Sequence, residues 1–180
     1  MEQLNTGLTP EALKGIVDTL NKLLADEQVL YNKTRNYHWN VVGPRFHQLH
    51  EFFEEQYDEL AEIVDEVAEN VRQFGGFAAG TMTEFLQLAR LKEHPGNLPD
   101  EDGMIGDLVA DHDTIIRQLR EDIEQSGDEY EADDAADFLT AILETHNKMA
   151  WMLRSFLTRH SGNGKTERVA TAELVGDGRK

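Results

Sequence analysis

The 180-residue chain has no cysteine, so neither a disulfide framework nor a thiolate metal site is open to it. Proline is rare, with four in all, and each falls where a helix would start or a loop would turn, which leaves room for long uninterrupted helices. No apolar run approaches membrane-spanning length. The opening MEQLNTGLTPEAL lacks the basic and apolar regions of a signal peptide, so cytoplasmic residence is expected. Basic residues are also scarce, 17 against 35 acidic ones, for a formal net charge of −18. That balance disfavours a nonspecific grip on DNA or on an anionic membrane.

Helical periodicity fills most of the remainder. Thr9-Pro10-Glu11 reads as a helix start with Thr9 as N-cap, and Leu13, Ile16, Val17, Leu20, Leu23, Leu24 and Leu30 carry that helix to about Asn40. Gly43-Pro44 breaks the pattern. A second helix is expected from Pro44 to about Phe74, with Phe46, Leu49, Phe53, Leu60, Val64, Val67, Val71 and Phe74 as its buried stripe. A short amphipathic piece, 83–91, and a loop, 92–103, containing Pro95, Gly96 and Pro99, precede a third helix from about Met104 to Ser126, stopped at Gly127. A fourth runs from about Ala132 to Arg159, with Trp151 and the methionines read as core. Four long helices with one long crossover containing a short helix give an all-α bundle over residues 1–160. Residues 161–180 form a glycine-rich tail expected to be mobile.

The second helix also carries a polar pattern that a surface helix does not need. At about 100° per residue, His50, Glu54, Asp65 and Glu69 share a stripe beside the apolar one, together with Ala61 and Ala68. Further round lie Glu51, Glu55, Asp58, Glu62 and Glu66. His50 and Glu54 are i,i+4 neighbours, as are Asp65 and Glu69, but the two pairs are on the order of 22 Å apart along the axis. One helix cannot close a single site from both. A second copy, antiparallel about a two-fold axis near Glu59 and Leu60, would set one chain's His50 and Glu54 opposite the other's Asp65 and Glu69. A hairpin around Gly43-Pro44 brings His38 to face His50, with Trp39 beside it as a possible shield or hydrogen-bond donor. Two imidazoles and three carboxylates suit Fe(II) and other borderline metals.

The signature His38-Trp39-Asn40-Val41, Gly43-Pro44, Phe46, Leu49-His50, Phe53, Tyr57, Asp65, Ala68-Glu69 and Gly75-Gly76 resembles that of the Dps family, the mini-ferritins first described as DNA-protecting proteins of starved cells. The resemblance spans about residues 8–160. It implies a ferritin-like four-helix bundle and an inter-subunit ferroxidase centre built of His38, His50 and Glu54 from one subunit with Asp65 and Glu69 from its mate. Glu54 stands where the family commonly has aspartate. The resemblance further implies a homododecamer of tetrahedral symmetry that oxidises Fe(II), preferentially with hydrogen peroxide or else with dioxygen, and stores ferric oxyhydroxide in its cavity. Glu51 and Glu55, with Asp58 and Glu62 on the same stripe, match mineral-nucleating carboxylates. The acidic segment opening the fourth helix matches the iron-entry pore, with Asp137 and Asp133 or Asp134 as candidates.

Two other readings compete. A di-iron site inside one bundle would use Glu-x-x-His, yet no glutamate stands three residues before any of the seven histidines. Direct DNA binding is not expected, because residues 1–10 have no Lys or Arg and the tail carries only one more base than acid. The histidines outside the stripe, His47, His94, His112, His146 and His160, read as surface or packing residues.

Overall fold

A computed structural model describes residues 4–160 and 166–168, with side chains through residue 157. The first helix, α1 (Pro10–Asn40), begins as its sequence dictates: the Thr9 hydroxyl accepts the amide of Ala12 at 3.1 Å and Pro10 occupies the first turn. Helix α2 (Phe46–Gln73) starts two residues later than Pro44 and has no side-chain cap of its own. Its exposed N-terminal amide is met from elsewhere: Arg45 N donates to Glu101 Oε1 at 2.8 Å, and the Arg45 guanidinium bridges Glu101 at 3.1 Å and Asp102 at 2.6 Å. Gly43 makes that arrangement possible, with φ +141° and a position where a Cβ would stand 2.5 Å from the Glu101 carboxylate.

The crossover holds α3 (Met82–Leu88), opened by a Thr81–Glu84 capping box. It is tied down beyond α3 by Asp26, whose carboxylate accepts from the amides of Arg90 and Leu91 and from Arg90 Nε at 2.6 Å. Arg90 Nη1 reaches Gln118 and Asp122, both at 3.0 Å. Helix α4 (Glu101–Glu124) begins before Met104, because Asp100 caps it through Gly103 N at 2.9 Å and Glu101 and Asp102 favour its positive end.

Gly127 does not stop the chain. A π-helical turn, Gln125–Glu129, continues it, with Tyr130 N donating to Gln125 O at 3.2 Å. This swings the Tyr130 ring onto Gly15, where any Cβ would collide with it. Helix α5 (Asp133–Leu157) ends before Arg159; β1 (Thr158–His160) and β2 (Thr166–Arg168) then pair antiparallel, Arg159 opposite Glu167. Apart from residues 166–168, the tail expected to be mobile lies outside the described residues.

Helices α1 and α2 form one antiparallel hairpin and α4 and α5 another, closing an all-α four-helix bundle. Leu20, Leu23 and Leu30 meet Phe53, Leu60, Val67, Ile105, Leu108, Ile115, Leu119 and Leu153 in one core. Each such side chain contributes about 1.5–3 kcal/mol by leaving water. Two expected core residues are elsewhere: Trp151 is 64% exposed and Phe46 46%. The buried apolar side chains of α2 are Leu49, Phe52, Phe53, Leu60, Ile63, Val67 and Val71, so Phe52 and Ile63 join the expected stripe while Phe46 is exposed and Val64 half-buried. Among the described residues no helix is long and apolar enough to cross a membrane.

Candidate metal centre

His38 lies in the last turn of α1 and His50 in the first turns of α2. The hairpin stacks their rings with centroids 3.8 Å apart and planes 20° from parallel. Each Nδ1 points at the other residue's backbone carbonyl: His38 Nδ1 to His50 O at 2.8 Å, and His50 Nδ1 to His38 O at 2.9 Å. A carbonyl only accepts, so both Nδ1 atoms carry a proton and Nε2 is the nitrogen each ring has left to ligate. This is how a ligating histidine is usually held, one nitrogen anchored and the other presented.

Tyr57 joins Glu54 to the pair. Its ring meets His38 edge-on with centroids 5.2 Å apart, and its hydroxyl donates to Glu54 Oε1 at 3.2 Å. Burial, and then the neighbouring Glu54 carboxylate, push the phenol above its ordinary range, so Tyr57 stays a donor. Phe46 stacks on the far side of His50 at 5.2 Å. Arg35 lies over the rings of Tyr31, Trp39 and Tyr57 at 5.1 to 5.5 Å. Trp39 itself is exposed and makes its ring contact with Arg35. Within the chain Tyr57 and Phe46, rather than Trp39, cover the imidazoles. Helical position assigned Phe46 to the buried stripe and gave Tyr57 no place at the site.

Asp65 and Glu69 do not join them. Helix α2 is unbroken over its 28 residues, so both carboxylates stand on its exposed face on the order of 22 Å along the axis. Among the described residues, no three His, Asp or Glu side chains of one chain are grouped so as to hold a metal ion. Leu60 is fully buried in its own subunit's core and Glu59 borders a groove against Phe138 and Thr145 of α5. At the level where a two-fold axis is expected, near Glu59 and Leu60, the exposed residue on the ligand-bearing stripe is Ala61.

The remaining acidic candidates are all exposed. Glu51, Glu55, Asp58 and Glu62 run along the neighbouring face of α2. Asp133 and Asp134 in the first turn of α5 border a depression shared with Asn70, Gln73 and Glu131; Asp137, a turn later, does not.

Comparison with known proteins agrees with this architecture. A ferritin-like domain model matches residues 17–161. The chain is 50% identical over 157 residues to a low temperature-induced protein of Nostoc sp., uncharacterized, covering 87% of this chain and 88% of that one. It is 38% identical to DNA protection during starvation protein 2 of Bacillus anthracis over 149 residues, 81% of this chain and 99% of the relative. A solved Dps structure from Vibrio cholerae O1, described as a member of a broad superfamily of ferritin-like diiron-carboxylate proteins, superposes with a TM-score of 0.80 at 29% identity, over 87% of this chain and 99% of that one. With the helix order, the crossover helix and the crossed histidines in place, the chain belongs to the Dps family of ferritin-like proteins.

Proposed function

We propose that this protein is an iron-storage ferroxidase. It oxidises Fe(II) at centres shared between two subunits, deposits ferric oxyhydroxide inside a hollow homododecamer, and so protects the cell from oxidative damage. The observation that carries the proposal is the crossed hydrogen bonding of His38 and His50, which anchors Nδ1 of each stacked ring and leaves both Nε2 atoms as the ligating nitrogens. With Glu54, and with Asp65 and Glu69 of the partner subunit, they make a mixed nitrogen and oxygen set suited to Fe(II), the substrate. The diiron-carboxylate character of the Vibrio cholerae relative supports it.

In this reading the neutral imidazoles hold iron without adding charge, and the carboxylates offset the charge gained on oxidation. Hydrogen peroxide, the preferred oxidant, takes one electron from each of two Fe(II) ions; its O–O bond breaks and both oxygens leave as water or hydroxide. No hydroxyl radical is released. Glu51, Glu55, Asp58 and Glu62 would line the cavity and nucleate mineral, since clustered carboxylates bind hard cations. Asp133 or Asp134, with Asp137, would line the entry pore. The protein would act in the cytoplasm, and with a net charge of −18 it would not bind DNA directly.

The test is Fe(II) added without oxygen, followed by peroxide or by dioxygen, with Fe(III) formation and spin-trapped hydroxyl radical both recorded. Faster oxidation than in buffer, quicker with peroxide and with little radical, is expected. A rate no higher than protein-free solution overturns the proposal. In a gel shift at low salt, neither the full chain nor one truncated after His160 should retard DNA.

A further inference from the structure

A second group of titratable side chains lies inside the bundle, on the order of 16 Å along α1 from His38. Glu27 of α1, His112 of α4 and His146 of α5 meet there, with relative exposures of 0%, 1% and 0%. Glu27 Oε1 is 2.9 Å from His146 Nε2. Even so, neither carboxylate oxygen of Glu27 nor His146 Nε2 has a hydrogen-bond partner, because no N–H is aimed along that approach. On the other edge of the ring, His146 Nδ1 lies 2.9 Å from His112 Nδ1.

The tautomers follow from these contacts. Two imidazole nitrogens 2.9 Å apart need one proton between them, so one of the two Nδ1 atoms donates to the other. If His112 donated, His146 would carry its proton on Nε2 and would bond Glu27, which the geometry lacks. If His146 donates, its bare Nε2 lone pair faces a carboxylate at 2.9 Å. Two electron-rich atoms that close repel unless a cation lies between them; a proton there would make a hydrogen bond, which is not formed, and an uncompensated buried carboxylate is costly.

We propose that Glu27 and His146 are ligands of a divalent transition-metal ion held within each subunit, with His112 as the positioning residue that accepts the His146 Nδ1 proton. A metal about 2.0–2.2 Å from each ligand atom would see Oε1 and Nε2 at close to a right angle, as in octahedral coordination, and Glu27 Oε2 is free to bind as well. One oxygen and one imidazole suit Fe(II), Co(II) or Zn(II). Among the described residues no third His, Asp or Glu is grouped with them, so water would fill the remaining positions. The ion would join α1 to α5 across the bundle. The site needs no Glu-x-x-His, which is why the spacing of histidines along the sequence concealed it.

Cobalt tests this without any activity measurement. Crystals of the metal-free, assembled full chain would be soaked in Co(II) and anomalous maps computed at the cobalt edge. One peak per subunit between Glu27 and His146, distinct from any at His38 and His50, is expected. The peak should persist in His50→Ala, vanish in Glu27→Gln, and weaken in His112→Gln, whose cobalt affinity in equilibrium dialysis should fall about 10–100-fold. A wild-type map with no peak there would overturn the proposal. So would cobalt bound equally by Glu27→Gln in a His50→Ala background. If Glu27→Gln does not assemble, the wild-type map decides alone. Loss of the interface peak with this one retained would instead count against the shared ferroxidase centre.

Discussion

Two inactive variants should restore each other when they assemble together, and by a calculable amount. In shells of His50→Ala alone, every shared centre lacks an imidazole; in shells of Asp65→Ala alone, every centre lacks the carboxylate of the opposite subunit. Loss of a mere outer partner of a metal ligand costs about 10–100-fold in metal affinity, so loss of a ligand itself should leave each parent at or below about one hundredth of the wild-type rate. A mixed dimer differs. One of its centres pairs the two damaged halves, and the other pairs intact His50 with intact Asp65. Random pairing at equal proportions makes about half the dimers mixed, each with one working centre of two, so about one quarter of wild-type activity should return. The assay is Fe(III) formation in co-refolded shells, set against the same two variants mixed after separate assembly. A co-assembled sample no more active than the post-assembly mixture refutes the shared centre, because a site closed within one chain cannot be complemented.

Gly43→Ala should strain a φ of +141° and drive a methyl group into Glu101, at a cost of about 1–3 kcal/mol; crystallography should show longer His38–His50 contacts, and Fe(II) affinity should fall with stability. Arg90→Met should leave Asp26, 1% exposed, as a buried charge without its guanidinium. A loss of about 3–5 kcal/mol in denaturant unfolding is expected, smaller when Asp26→Leu is added. Glu84 is held below its ordinary value of 4.5 by the Thr81 hydroxyl and then the amides of Gly80 and Thr81. Its folded value is depressed, so its contribution is complete above pH 4.5 and is lost as pH falls through that lower value. Amide exchange at Gly80 and Thr81 should quicken over that acid window in wild type and show no such step in Glu84→Ala, whose side chain accepts from neither amide.

Most of the bundle was legible because its signals are local. Thr9-Pro10 fixes the start of α1 and its leucines fix its face. The start of α2 was not, since its first amide is satisfied by Glu101, 56 residues further on. Gly127 looked like a stop, but widening the helix by one residue is a choice made by the packing of Tyr130 on Gly15, which no local pattern encodes. Trp151 was misplaced because apolar residues cover more than one face of α5, and periodicity cannot say which face wins. At the candidate site, His38 and His50 followed from counting outward from a turn. Their crossed hydrogen bonds did not, since those depend on ring orientation. His112 and His146 read as surface or packing residues, and only the fold sets them against each other with Glu27 on the other edge of the His146 ring.

The straightness of α2 has a consequence for the life of a newly made subunit. On the proposed reading, a rod that keeps its two sets of ligands at opposite ends leaves a solitary chain without a complete centre. Competence would then arrive with the first mate, and containment with the closed cage. The length of one helix would thereby act as a safety interlock that ties the onset of chemistry to the presence of somewhere to put its product.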